Sequence, residues 1–255
     1  MNDEVEMTLT EHLEELRSRL IIAVVAILIT TTAVFFISDH ILNILVAPSG
    51  GLQLKAFNIT DGFMIKARIA LYGGIVLAFP VWAFEIIRYI SPGLLDSERR
   101  VIFPALAFSL LLFIAGVAFG YVMLAGMIHA LVQFFPSNVD LLPNADEYIS
   151  FVLFFLLAAG TAFQLPTIII VLVQLRIVNT TFLRKQRKYT YFALFAFSEI
   201  ITPVSDPIVA PMIVMVPLVL LYELSIFLGR RIENKRARDE AAQMAMTTTP
   251  VAGGN

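Results

Sequence analysis

Hydrophobic residues in this chain come in long unbroken runs rather than in the narrow stripes of a soluble fold. Asp, Glu, Lys and Arg are absent from residues 20–37, 69–84, 101–128 and 148–173. A helix rises about 1.5 Å per residue and needs roughly 20 apolar residues to cross the hydrocarbon core of a bilayer. Each run, with its flanks, therefore predicts a transmembrane helix. Two further runs are less uniform: 189–201 is short and contains Glu199, and 208–228 contains Pro211, Pro217 and Glu223. The pattern predicts an all-α polytopic membrane protein with six transmembrane helices, near 20–37, 67–87, 101–128, 148–173, 189–201 and 208–228. Residues 1–228 form a single transmembrane domain in this reading.

The last two spans are predicted to be short. A 13-residue run is roughly 20 Å of helix against a core of about 30 Å, so the bilayer should thin or water should enter there. Pro203, Pro207, Pro211 and Pro217 crowd the same corner. An ordinary kinked hairpin and a functionally thinned region both fit this pattern. Ahead of the first span, Leu9, Leu13, Leu16 and Leu20 repeat at helical spacing, and Thr8 with Glu11 makes a capping-box pattern. An amphipathic cytoplasmic helix is expected before the membrane. Residues 229–255 are first charged and then rich in Thr and Gly, which predicts a disordered cytoplasmic tail.

Composition strengthens the membrane reading. Hydrophobic residues make up 58% and charged ones 15%, with mean hydropathy +0.83 and a formal charge of only -2, so a soluble monomer is excluded. No concentrated basic face points to nucleic acid. Cysteine is absent, and the three histidines, His12, His40 and His129, lack helical ligand spacing, so no metal site, cofactor or thiol chemistry is expected. Asp3, Glu4 and Glu6 argue against a cleavable signal peptide with a basic leader. A prokaryotic plasma membrane is the simplest location.

Basic residues are retained on the cytoplasmic side of a membrane protein. With both termini inside, fifteen of the 18 Lys and Arg residues fall in cytoplasmic segments, leaving only Lys55, Lys66 and Arg68 outside. This asymmetry supports an even number of spans.

Polar side chains within spans are costly and are functional candidates by default. They are Gln164, Glu199 and Glu223, and none has an obvious basic partner within the spans. A secondary transporter could use this trio around a midplane site. An intramembrane enzyme would need a nucleophile with a base, or metal ligands, and the span serines have no nearby His. No catalytic residue is assigned. At the predicted cytoplasmic surface, Glu14 and Glu15 precede the first span, and Asp96 and Glu98 precede the third. By spacing alone these are ordinary surface carboxylates; Glu15 can pair with Arg19 at i,i+4, and Glu98 with Arg99 or Arg100.

HLEELRSRL at 12–20, YISPGLLDSERR at 89–100, and Thr202-Pro203 with Asp206-Pro207 between the last spans occur in an order that resembles the TatC family. The resemblance covers nearly the whole chain. It implies the core receptor component of the twin-arginine translocation system, which binds twin-arginine signal peptides at the cytoplasmic face for export of folded proteins driven by the proton-motive force. It also implies TatA-type and TatB-type single-span partners, homo- and hetero-oligomers, and no enzymatic activity. Carried over by position, Glu98 matches the carboxylate that receives the signal motif and Glu15 the second acidic contact. Arg17 and Arg19 match basic residues of the first motif, and Pro48 a position that couples to partner subunits. A guanidinium can meet a carboxylate through two parallel hydrogen bonds, so acidic residues suit that task. Two positions depart from the pattern. Gln164 stands where the family commonly has a titratable Glu, and Tyr89 where Phe is frequent.

Overall fold

The computed structural model describes residues 9–90, 102–133, 141–202 and 209–248. They fold into α1 (Leu9–Val46), α2 (Asp61–Leu77), α3 (Phe79–Ile90), α4 (Ile102–Gln133), α5 (Ala145–Ala162), α6 (Leu165–Gln174), α7 (Thr180–Lys185), α8 (Arg187–Ile201) and α9 (Val209–Thr248). The predicted all-helical class is observed; the sheet-like contact among these residues is an isolated bridge between Lys55 and Asn144. Among the described residues four helical stretches, the α5–α6 pair counted as one, are long and apolar enough to cross a bilayer, and α2 with α3 supplies a fifth if that bent pair is one span. At 15 residues α8 is about 22 Å long, shorter than a hydrocarbon core of about 30 Å, whereas α9, at 40 residues, is not the short last span that the sequence predicts.

Two of the predicted spans are broken, and proline explains where. Pro80 has no N–H to continue the ladder from α2, and the chain bends by 50° between α2 and α3. The Trp82 indole N–H donates to the Ile75 carbonyl at 3.1 Å across the bend. Phe79, at the start of α3, stacks on Phe113 of α4 with centroids 3.8 Å apart, tying the bend to its neighbour. Pro166 marks the second break, at residues 163–164 between α5 and α6.

The first pair of spans packs closely because one position carries no side chain. A Cβ on Gly74 would lie 2.7 Å from the Thr31 backbone, so only glycine lets α1 and α2 approach this far. The Thr30 hydroxyl donates to the Gly74 carbonyl at 2.8 Å across that contact. Leu45, Ile69, Leu124, Ile149 and Val152 form the main apolar core around these helices. A second core joins Ile169 and Val173 of α6, Leu194 of α8, and Leu218, Tyr222 and Ile226 of α9.

At the end of the bundle where α1 finishes, the connections interlock. Lys55 N–H donates to the Pro143 carbonyl at 3.0 Å, and Ala145 N–H to the Lys55 carbonyl at 2.9 Å. Tyr148 and Tyr121 donate their hydroxyls to the Leu45 and Ile44 carbonyls at 3.1 and 2.9 Å. Asp61 accepts the backbone N–H groups of Phe57 and Asn58 at 2.9 and 3.0 Å. The backbone donors of Asn58 and then Phe57 hold its carboxyl below the ordinary carboxylate value.

Two further expectations change. The amphipathic segment before the membrane is not a separate helix: Leu9 begins α1, which runs unbroken through the first span. The tail from Gly229 is helical as far as Thr248 rather than disordered, and residues 249–255 lie outside the described residues. Composition misses this because the support is tertiary. The Glu233 carboxylate accepts the Thr180 N–H at 2.9 Å, Arg236 donates to the Gln174 carbonyl at 2.7 Å, and Arg176 pairs with Glu240 at 2.5 Å. Thr8 of the capping-box pattern and Pro203 and Pro207 lie outside the described residues.

Candidate functional site

The first turns of α1 and the end of α3 lie side by side at the opposite end of the bundle from the interlocked connections. Here Arg19 stands between two carboxylates. Its Nη2 lies 3.1 Å from Glu15 Oε1, one turn back on α1, and its Nη1 lies 3.2 Å from Glu85 Oε2 on α3. All three side chains are shielded, with 15% of Glu15, 18% of Arg19 and 8% of Glu85 exposed. Among the described residues one guanidinium is thus shared by two carboxylates, which leaves these three side chains with a net negative charge in a place where charge is poorly solvated. Glu15 Oε2 and Arg19 Nε are buried without hydrogen-bond partners among the described residues.

Beside this cluster, Tyr89 stacks on His12 with ring centroids 4.5 Å apart, joining the ends of α1 and α3. Below it a groove of about 270 Å³ runs between the two helices, lined by Leu16, Leu20, Ile27, Trp82 and Ile86. An acidic, partly unsatisfied head over an apolar groove suits a chain with basic side chains next to apolar ones. Paired fork-shaped bonds make a guanidinium the fitting cation for an unfilled carboxylate oxygen.

The structure brings Glu15, Arg19 and Tyr89 to one place and leaves Arg17 exposed on α1. Glu98, with Asp96, Arg99 and Arg100, lies outside the described residues. Pro48 sits at the other end of α1, in the short 3-10 turn Ala47–Ser49. It shares no site with the acidic cluster.

The polar residues within the spans do not converge on a transport site. Gln164, at the α5–α6 break, is buried and held by Ser109 of α4. Glu223 of α9 pairs with Arg187 at the start of α8, and Tyr191 donates its hydroxyl to the same carboxylate at 2.5 Å. The sequence reading found no basic partner for Glu223, and Arg187 is that partner. The two residues are 36 positions apart on different helices, so helical spacing could not pair them. Glu199 is half-buried near the end of α8.

Glu85 was missed altogether. It closes an uncharged run and looks like the edge of a span; its spacing of four from Tyr89, on one helix face, was the available signal.

A family model described as Sec-independent protein translocase protein (TatC) matches residues 11–217. The Sec-independent protein translocase protein TatC of Carboxydothermus hydrogenoformans is 36% identical over 237 residues, which cover 92% of this chain and 97% of that protein. TatCy of Bacillus subtilis is 36% identical over 241 residues, 93% of this chain and 94% of its own length. A crystal structure of the twin arginine translocase receptor TatC superimposes with a TM-score of 0.75 at 32% identity, covering 86% of this chain and 98% of that one. The structure of that receptor in DDM gives 0.77 at 34% identity, over 86% and 99% of the two chains.

Proposed function

The chain belongs to the TatC family of Sec-independent protein translocase proteins, and from this premise we propose that its Glu15–Arg19–Glu85 end receives twin-arginine signal peptides. It is a multi-pass membrane protein and the receptor component of a twin-arginine translocase, with no covalent chemistry of its own. The observation that carries the site assignment is the shielded carboxylate of Glu15, one oxygen of which has no partner among the described residues. A guanidinium of the signal fills that oxygen with a charge-assisted bond and offsets the surplus negative charge. Glu98 receives the other arginine, Tyr89 offers an aromatic face, and Arg17 stands at the headgroup level beside them.

This end of the bundle is cytoplasmic in our reading, because fifteen of the 18 basic residues then lie inside. Both termini are cytoplasmic, the membrane is the plasma membrane of a prokaryote, and α8 is a short fifth span of six. A helix of this length favours a locally thinned bilayer. Pro48, at the far end, serves coupling to TatA-type and TatB-type single-span proteins in an oligomeric assembly. The proton-motive force drives that assembly.

The test is export in a host whose own TatC-type protein has been removed. Supplying this chain with its TatA-type and TatB-type partners restores export of a folded twin-arginine cargo, and the Glu15→Ala, Glu98→Ala double variant does not. Restoration by the double variant would remove the acidic cluster from the recognition site.

A further inference from the structure

Arg19 stands in the same relation to Glu15 that the reading above gives to an arginine of the signal. The geometry points to an exchange of guanidinium groups: Arg19 occupies Glu15 until a signal arginine takes its place, and then passes wholly to Glu85. This inference rests on Glu15 being a signal contact. It makes Glu85 a positioning residue and Arg19 a residue that sets specificity.

Three observations carry it. First, the fork of Arg19 is split. Each carboxylate receives one N–H, at 3.1 Å from Glu15 and 3.2 Å from Glu85, whereas a guanidinium facing a single carboxylate makes two parallel bonds. The present arrangement gives neither carboxylate a full partner. Second, among the described residues the charges of the cluster do not balance. Two carboxylates share one cation within a shielded cluster, and one further guanidinium brings the group to neutrality. Third, Glu15 Oε2 and Arg19 Nε, both in this cluster, are buried without partners among the described residues. One rearrangement satisfies both: the incoming guanidinium takes Glu15, and Arg19 turns its Nε–Nη edge to Glu85.

The exchange also favours arginine over lysine. An incoming group must displace a guanidinium from Glu15, and a second guanidinium replaces the lost bonds in kind. An ammonium is a point charge without the fork, and replaces them less well. Arg19 thus acts as an internal competitor that raises the threshold for binding, and Glu85 is the acceptor that lets the competitor leave.

The experiment measures affinity of the detergent-purified full chain for a twin-arginine signal peptide and its twin-lysine version. The native chain is compared with Glu85→Gln, Arg19→Gln, the Glu85→Gln, Arg19→Gln pair, and Glu85→Asp, with thermal unfolding of each to confirm folding. Glu85→Gln weakens arginine-peptide binding about tenfold, because Arg19 then has no acceptor but Glu15 and the open form is rare. Arg19→Gln tightens binding and narrows the gap between the two peptides. The pair behaves as Arg19→Gln alone, so the loss due to Glu85→Gln vanishes once the competitor is gone. Glu85→Asp, which keeps a carboxylate, recovers most of the native affinity. Native-like affinity in Glu85→Gln, or a pair as weak as Glu85→Gln, overturns the exchange. A native chain that binds both peptides equally overturns the signal-contact reading itself, and the exchange with it.

Discussion

Ser109 and Gln164 hold one another by two hydrogen bonds: the Ser109 hydroxyl donates to Gln164 Oε1 at 2.7 Å, and Gln164 Nε2 donates to the Ser109 carbonyl at 3.0 Å. Both side chains are buried, and the pair joins α4 to the break between α5 and α6. A neutral amide can both donate and accept here, which a carboxylate cannot do without taking up a proton. The role of Gln164 is to clasp the α5–α6 break to α4, and proton relay is not part of it. Gln164→Leu leaves the Ser109 hydroxyl and carbonyl to find other partners and costs about 1–3 kcal/mol of stability. Ser109→Ala costs less, and the double variant loses less than the sum of the two, measured by unfolding in detergent.

Gly74 sets the approach of α1 to α2. With a Cβ only 2.7 Å from the Thr31 backbone, Gly74→Ala must push the helices apart, since backbone cannot yield as a side chain does. We expect a loss of about 1–3 kcal/mol, read as a lowered unfolding midpoint. Gly62→Ala, where a Cβ meets nothing within 4 Å, is the control that leaves packing intact.

Asp61 gives the fold an acid limit. Its carboxyl lies below the ordinary value of 3.8 because it accepts the backbone N–H groups of Asn58 and Phe57. In the window between the folded and unfolded values the unfolded chain binds more protons, so stability rises with pH there. The contribution is fully present above pH 3.8 and is lost as pH falls through the lower folded value. Asp61→Asn flattens that limb of a plot of unfolding midpoint against pH and leaves its neutral end with a constant deficit.

Arg187 and Glu223 join α8 to α9, with side chains 39% and 33% exposed. At that exposure a double-mutant cycle of Arg187→Gln and Glu223→Gln should give a coupling of about 1 kcal/mol or less. Neither variant alters affinity for a twin-arginine peptide, because the pair ties α8 to α9 whereas the acidic cluster is built on α1 and α3. A lost arginine preference in Glu223→Gln would bring the pair into the recognition site.

Length and uniformity made most of the architecture legible. The runs at 20–37, 101–128 and 148–173 needed no partner to be recognised; α1 contains the first, α4 carries 102–128 of the second, and the α5–α6 pair spans the third. Helicity beyond Gly229 escaped notice because its support comes from Thr180 and Gln174, on other elements. The site divides in the same way. Glu15 and Arg19 are neighbours on one helix and could be paired from spacing, whereas Glu85 reaches them across 66 positions from the edge of an uncharged run. Ser109 and Arg187 were hidden for the same reason: each partner lies on another helix, and only packing brings them together.

The central claim is that carboxylates at this end read arginine by its paired donors. The direct measurement is the affinity of the detergent-purified chain for a twin-arginine signal peptide and its twin-lysine counterpart, with the native sequence, Glu15→Ala and Glu98→Ala. The account predicts a strong preference for arginine in the native chain, reduced by either substitution, because lysine cannot form the bidentate fork. Equal weak binding of both peptides by all three proteins would contradict it.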